Sequence, residues 1–388
     1  MTSGFQPFSF NTPSSLLMEW GAAARLGELL SAGFEAKNLL IVTDKFLNNS
    51  GLLAPALQSL SAHGFRVKVF DDVTADPAEN LVTDCVALAK QAGVDIVVGF
   101  GGGSSMDVAK LVAVLLRNDQ PLAELYGIDR VRGERMPLIQ IPTTAGTGSE
   151  VTNITILTTG ETTKMGIVSD RLYADRVLLD AELTCGLPAL QTAATGIDAM
   201  VHAIEAFTSR LRKNPLSDLL AKEALRLMAG NLLEACRDGK NRPAREAMLL
   251  GATLAGQAFS NSPVAAVHAL AYPLGGFYHL PHGLTNALML APVLRYNLRA
   301  AASLYAELGE VIDLPASGSV PERAAAFAGF MQNLLVRSGA PARLRDVGVA
   351  REDLPKLAAA AMLQTRLLQN NPVPVTEADA LALYQEAY

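Results

Sequence analysis

Short apolar runs alternate with helical periodicity through the first half of the chain. Residues 38–43 (NLLIVT) form an apolar run after Gly33, and a helical pattern follows. Residues 65–70 (FRVKVF) alternate with period two, and residues 95–100 (DIVVGF) and 136–141 (MPLIQI) are two further strand-like runs. Helical patterns at 79–92 and 107–116 lie between them. Strands alternating with helices predict a parallel α/β sheet. Residues 150–158 alternate again, Gly160 turns the chain, and 164–169 follow, which reads as an appended β-hairpin.

After Leu187-Pro188 the pattern changes to helical periodicity with almost no strand signal. Ile197, Met200, Val201, Ile204 and Phe207 mark one apolar helix face. Residues 221–229, 242–258, 319–338 and 353–368 read the same way. The predicted organisation is an α/β nucleotide-binding domain over 1–187 and an all-α, metal-binding domain over 188–388.

Composition narrows the function classes. Of 388 residues, 50% are hydrophobic and 18% charged, which is ample for sizeable cores. Net charge is −6 without a basic run, so neither nucleic acid nor an anionic membrane surface is an expected partner. Cys85, Cys185 and Cys236 are distant and odd in number, so no disulfide framework is expected. With no secretory pattern at the N-terminus, a reducing, cytoplasmic setting is the expectation.

Residues 247–294 contain no Asp, Glu, Lys or Arg. Prolines and glycines interrupt the stretch, so it reads as deeply buried rather than membrane-spanning. It holds His268, His279 and His282, three of the five histidines. Asp198 and His202 are spaced i, i+4, on one helix face. Ser262-Pro263 predicts the start of a helix carrying His268 and ending at Gly275-Gly276. Pro281-His282 opens the next helix, where the dipole disfavours a charged imidazole. Buried imidazoles and a buried carboxylate need a partner. One divalent cation, Fe²⁺ or Zn²⁺, would satisfy Asp198, His202, His268 and His282 together. The competing reading is an exposed Asp198–His202 pair and unrelated core histidines.

Residues 99–110 (GFGGGSSMDVAK) follow a predicted strand and open a helix. Consecutive glycines admit a phosphate to backbone N–H groups at a helix N-terminus. Ser104 and Asp107 are also spaced as N-cap and N3, so capping accounts for part of the pattern. Residues 142–150 (PTTAGTGSE) supply small hydroxyl donors after the next strand, or simply a turn into the hairpin. Asp44 ends the first strand. Two roles are open to it: accepting the ribose hydroxyls of NAD, or capping the following helix.

The order and spacing of these motifs resemble the iron-containing (group III) alcohol dehydrogenases. The likeness covers IVTD (41–44), GGGSSMDVAK (101–110), PTTAGTGSEVTN (142–153), TKMGIVS (163–169), LTCGLP (183–188), TGIDAMVHAIEA (195–206) and VHALAYPLGGFYHLPHGLTNALMLAP (267–292). It implies a dehydroquinate synthase-like fold, catalysis between two domains and a homodimer built partly through the N-terminal strand. It also implies hydride transfer between NAD and a primary alcohol or its aldehyde. Residue by residue, it implies metal ligation by Asp198, His202, His268 and His282, and pyrophosphate binding by Gly102, Gly103 and Ser104. Thr143, Thr144, Thr147, Lys164 and Leu183 would line the cofactor, and Asp44 would read the ribose. Two positions depart from the common pattern. Asp76 stands where asparagine is frequent. Tyr272 stands where a histidine is often proposed to relay protons, and is similar there to hydroxyacid–oxoacid transhydrogenases. Tyr272 faces the same cavity as His268, or packs with Phe277 and Tyr278. Transhydrogenation with bound NAD is the first alternative, and it calls for a basic residue to meet a carboxylate. A non-catalytic metal- and nucleotide-binding protein is the second, and a metal-dependent cyclase the third.

Overall fold

The computed structural model describes residues 7–160 and 163–388. Nine strands lie within its first half: β1 Leu16–Met18, β2 Asn38–Val42, β3 Arg66–Phe70, β4 Ile96–Gly101, β5 Gly127–Ile128, β6 Leu138–Pro142, β7 Ile154–Thr159, β8 Thr163–Val168 and β9 Arg176–Leu179. Six form one all-parallel sheet in the order β1-β9-β6-β4-β2-β3. Central β4 and β6 are buried along their whole length, as expected for a sheet covered on both faces. A second sheet, β5-β8-β7, contains the antiparallel β7–β8 hairpin.

The chain runs from β2 outward to β3, then returns to place β4 on the other side of β2. This reversal opens a crevice at the carboxyl ends of β2 and β4, the usual ligand position in a doubly wound sheet. Asp44 follows β2, the glycine loop follows β4 and the threonine loop follows β6. Three segments separated in sequence thus meet along one sheet edge.

Every described residue beyond Ala189 that belongs to regular structure is helical. No described helix is long and apolar enough to cross a membrane. The charge-free stretch is interior: His268, Leu270, Leu274, Leu288 and Met289 are all buried. The Arg242–Asn261 helix reaches the threonine loop through Gly256 and Gly148. A Cβ on Gly148, whose φ is +63°, would lie 2.6 Å from the Gly256 Cα, and one on Gly256 would lie 2.8 Å from Val151 Cγ2. Backbone meets backbone here, so there is no flexible side chain to yield. Gly256→Val is expected to destabilise the protein by about 3 kcal/mol through overpacking, read as a lower urea midpoint. An unchanged midpoint would contradict this close approach.

Four local expectations are corrected. The helix carrying His268 spans Ala266–Tyr278 rather than starting at Ser262-Pro263. Ser262 gives its hydroxyl to the Ala206 carbonyl, and the helix N-terminus is capped from elsewhere in the fold. The same helix runs through Gly275-Gly276 and ends with His279 in the left-handed conformation. Ser104 is not an N-cap: the Gly103–Leu115 helix is preceded by Gly102 and has no side-chain cap. Asp107 instead accepts from Ser149 Oγ at 2.6 Å and from the Ile156 N–H at 2.9 Å, fastening the hairpin to this helix. Finally, residues 353–368 form two helices, Leu354–Ala361 and Thr365–Leu368, not one.

Candidate metal centre and cofactor cleft

The Ala189–Thr208 helix presents Asp198 and His202 from one buried face. His268 comes from the third position of the Ala266–Tyr278 helix, and His282 begins the His282–Asn297 helix. One ligand atom from each of the four lies within 4.8 Å of all the others. The Nε2 atoms of His202 and His282 are 3.9 and 3.7 Å from Asp198 Oδ1. The exposed-pair reading is excluded, because Asp198 and His202 are 1% and 4% exposed. His279 is exposed at its helix end and takes no part.

The electrostatics favour cation binding. Burial depresses the His202 imidazole to about 3 and that of His282 to about 4, so both are neutral at pH 7 and free to ligate a cation. Burial alone would raise the Asp198 carboxyl. The surrounding His202, His282 and His268, with the Asn286 amide, bring it below its ordinary value instead. His202 stacks between Phe259 and His268, with centroid distances of 4.3 and 4.7 Å.

Two buried partners went unnoticed in the sequence. Glu205 accepts from His268 Nδ1 at 2.7 Å, which places the proton on Nδ1 and leaves Nε2 free to ligate. Glu205 also accepts from the Ala265 and Val267 N–H groups at 2.8 and 2.6 Å, so it is the missing cap of that helix. Asn286 Nδ2 donates to Asp198 Oδ1 at 2.5 Å and lies 3.1 and 3.2 Å from the Nε2 atoms of His268 and His282. Helical spacing was the available signal. Glu205 is three residues after His202, and Asn286 four after His282.

A cleft with about 160 Å³ of free volume joins this cluster to the α/β half. Gly103, Ser104, Thr147, Lys164 and Asp76 line it with His202, His268, His282 and Tyr272. A Cβ on Gly103 would stand 2.9 Å from Thr147 Oγ1, and one on Gly102 would stand 3.8 Å from Thr144 Oγ1. The two loops therefore form one bare cradle at a helix N-terminus. Lys164 Nζ pairs with Asp76 Oδ1 at 2.6 Å. Thr143 is buried beneath the cradle, and Leu183 is buried in the apolar cluster that includes Leu47 and Phe100. Asp44 caps the Lys45–Asn49 helix, accepting from the Leu47 N–H at 2.9 Å. Tyr272 turns into the cleft, with its ring centroid 5.9 Å from that of His282. Phe277 lies under the Lys356 ammonium, and Tyr278 hydrogen-bonds to Asp353, so both have other partners. Lys110 is wholly buried and donates to Ser149 Oγ, Thr152 Oγ1 and the Ile154 carbonyl, a tie between helix and hairpin.

Residues 13–181 match the family model described as iron-containing alcohol dehydrogenase. Residues 192–388 match that of the Fe-containing alcohol dehydrogenase family, C-terminal. The chain belongs to the iron-containing alcohol dehydrogenase family. It is 39% identical to a sulfoacetaldehyde reductase of Bilophila wadsworthia (strain 3_1_6), over 93% of this chain and 95% of that protein. The crystal structure of a 1,3-propanediol oxidoreductase superposes with a TM-score of 0.95 at 36% identity, covering 99% of this chain and 100% of that one. A sulfoacetaldehyde reductase from Bifidobacterium kashiwanohense in complex with NAD⁺ superposes at 0.87 with 29% identity, covering 99% of both. The two-part architecture expected from the sequence is the fold of this family. The chain is an oxidoreductase of a family that works on alcohols and aldehydes with NAD and a divalent metal.

Proposed function

We propose that Asp198, His202, His268 and His282 hold the divalent ion, Fe²⁺ or Zn²⁺, and that the chain interconverts a small primary alcohol and its aldehyde with NAD(H). The observation that carries this is the convergence of four donors, three buried and His282 half-buried, on one wall of a cleft whose other wall is the glycine cradle. The donor set fits such an ion: one carboxylate and three imidazoles, one of them oriented by Glu205. When bound, the ion supplies Lewis-acid polarisation of the substrate oxygen, and NADH supplies the hydride that, with one proton, converts aldehyde to alcohol and NAD⁺.

The chain's own residues bind, orient and protonate. Gly102, Gly103 and Ser104 offer helix N-terminal N–H groups to a pyrophosphate, beside Thr143, Thr144 and Thr147. Asp76 and Lys164 fix each other at the cleft wall, and Leu183 backs the cradle from the core. Burial raises the Tyr272 hydroxyl above its ordinary value, so it keeps its proton at neutral pH and can donate to a substrate oxygen. Phe259 and Val264 exclude water from the same wall. The catalytic unit divides into 1–187 and 188–388. It works in the cytoplasm as a homodimer, with three free thiols and a β1 edge unpaired among the described residues in support.

Asp44 has one carboxylate oxygen on the Leu47 N–H, and the other is available to a ribose. Asp44→Ser keeps a cap but removes the charge. It is expected to lower the NADH-over-NADPH preference by at least about tenfold in kcat/KM. An unchanged ratio would leave Asp44 a cap alone. The reading as a whole is tested by following NADH absorbance with an aldehyde panel, with Fe²⁺ and Zn²⁺ supplied separately. Absence of NADH consumption with every aldehyde and both metals would refute it.

A further inference from the structure

Sequence alone could not bring any arginine of the helical half to the cleft. The fold brings Arg366 there. Its backbone carbonyl serves Gln369 and Asn370, but its guanidinium has no hydrogen bond or ion pair among the described residues. The other cation lining the cleft, Lys164, is already neutralised by Asp76. The lining carboxylate Asp107 is occupied by Ser149, the Ile156 N–H and Lys110. Arg366 is therefore the one lining cation without a partner among the described residues.

Its surroundings favour an anionic partner. Ile154, Ile156, Val264 and Phe259 line the same space, and Gly166 of β8 lies beneath the guanidinium, its added Cβ only 3.8 Å from a terminal nitrogen. A charge beside apolar surface gains most from a desolvated counter-charge. The backbone that carries it is well anchored. The break at residues 362–364 starts the Thr365–Leu368 helix, whose Leu367 and Leu368 are buried and hold Arg366 at the cleft. Tyr272 and His282 stand across the same cavity, so an anion on Arg366 would belong to a molecule whose other end reaches the metal cluster.

We propose that Arg366 is an oxyanion receptor, and that the preferred substrates are short aldehydes or alcohols whose far end carries a carboxylate or sulfonate. This rests on the dehydrogenase reading of the same site. The planar guanidinium suits either group, because both offer two oxygens to its paired N–H donors.

The test uses metal-loaded full-length enzyme, NADH and three aldehydes: 4-oxobutanoate, 3-oxopropane-1-sulfonate and uncharged butanal. The wild type is expected to favour at least one anionic aldehyde over butanal in kcat/KM. Arg366→Met is expected to lower that anionic-to-neutral ratio about a hundredfold, mainly through KM. Arg366→Lys should fall between them, keeping charge but losing the fork. Calorimetry gives a second readout: propionate or methanesulfonate should bind the wild-type enzyme–NADH complex and fail to bind the Met variant. Which anion binds identifies the terminus. An unchanged ratio in Arg366→Met overturns the proposal and leaves the dehydrogenase reading standing. So does an effect confined to the KM for NADH, which would assign the arginine to the cofactor. If no aldehyde is reduced by the wild type, the reading of the site itself falls, and the proposal with it.

Discussion

His268→Ala is expected to remove tight metal binding and to lower turnover on the order of 10³-fold or more. Losing a hydrogen-bond partner of a ligand typically costs 10–100-fold in metal affinity, and losing the ligand itself removes a whole coordinate bond. His268 is also central to its neighbours. It stacks on His202 at 4.7 Å, its ring lies 5.4 Å from that of His282, and its Nδ1 donates to Glu205. Alanine would leave the remaining three donors, with Glu205 still held by the Ala265 and Val267 N–H groups. Metal content after dialysis against a chelator and NADH-linked turnover are the two measurements. A variant that keeps its metal and full metal-dependent activity removes His268 from the ligand set. A circular-dichroism melt separates loss of the site from loss of the fold.

The α/β half of the molecule was legible wherever the physics is local. Strands β2, β3, β4 and β6 lie within two residues of their expected positions, because β2, β4 and β6 are short, largely buried apolar runs and the edge strand β3 alternates with period two. Strands β1, β5 and β9 were not read, being only three, two and four residues long with too little pattern to register. The Asp–His cluster was legible for a different reason: a stretch of 48 residues without a formal charge stood out against the histidines it carries. The helix boundaries beside that cluster were misread because their caps are tertiary. Ser262 looked like an N-cap, yet the N–H groups of that helix are taken by Glu205, about sixty residues earlier in the chain. The same holds for Asp107, which answers a strand rather than its own helix end. Arg366 is the clearest limit. Its place in the cleft depends on a helix break and on packing against the His268 helix, neither of which periodicity encodes.

Glu205 joins folding to the metal centre, and its loss should be felt in both. One carboxylate, 4% exposed, accepts from three donors: the Ala265 N–H, the Val267 N–H and His268 Nδ1. The first two close the N-terminus of the helix on which His268 rides, where a negative charge also complements the dipole. The third fixes the imidazole tautomer. Glu205→Gln keeps the shape and an acceptor oxygen but loses the charge, and only one of its two terminal atoms can accept. It is expected to weaken metal binding by about 10–100-fold while the protein remains folded. Glu205→Leu removes every acceptor and leaves three buried donors unmet. At roughly 1–3 kcal/mol for each unsatisfied group, that variant should lose about 3–9 kcal/mol of stability. It should also lose most metal binding, because the imidazole is then free to turn. Metal titration of the Gln variant and urea unfolding of the Leu variant read the two effects apart. Wild-type metal affinity in Glu205→Gln would show that the tautomer is set by something else. A Leu variant as stable as the parent would mean that the N-terminus of the His268 helix does not depend on this carboxylate.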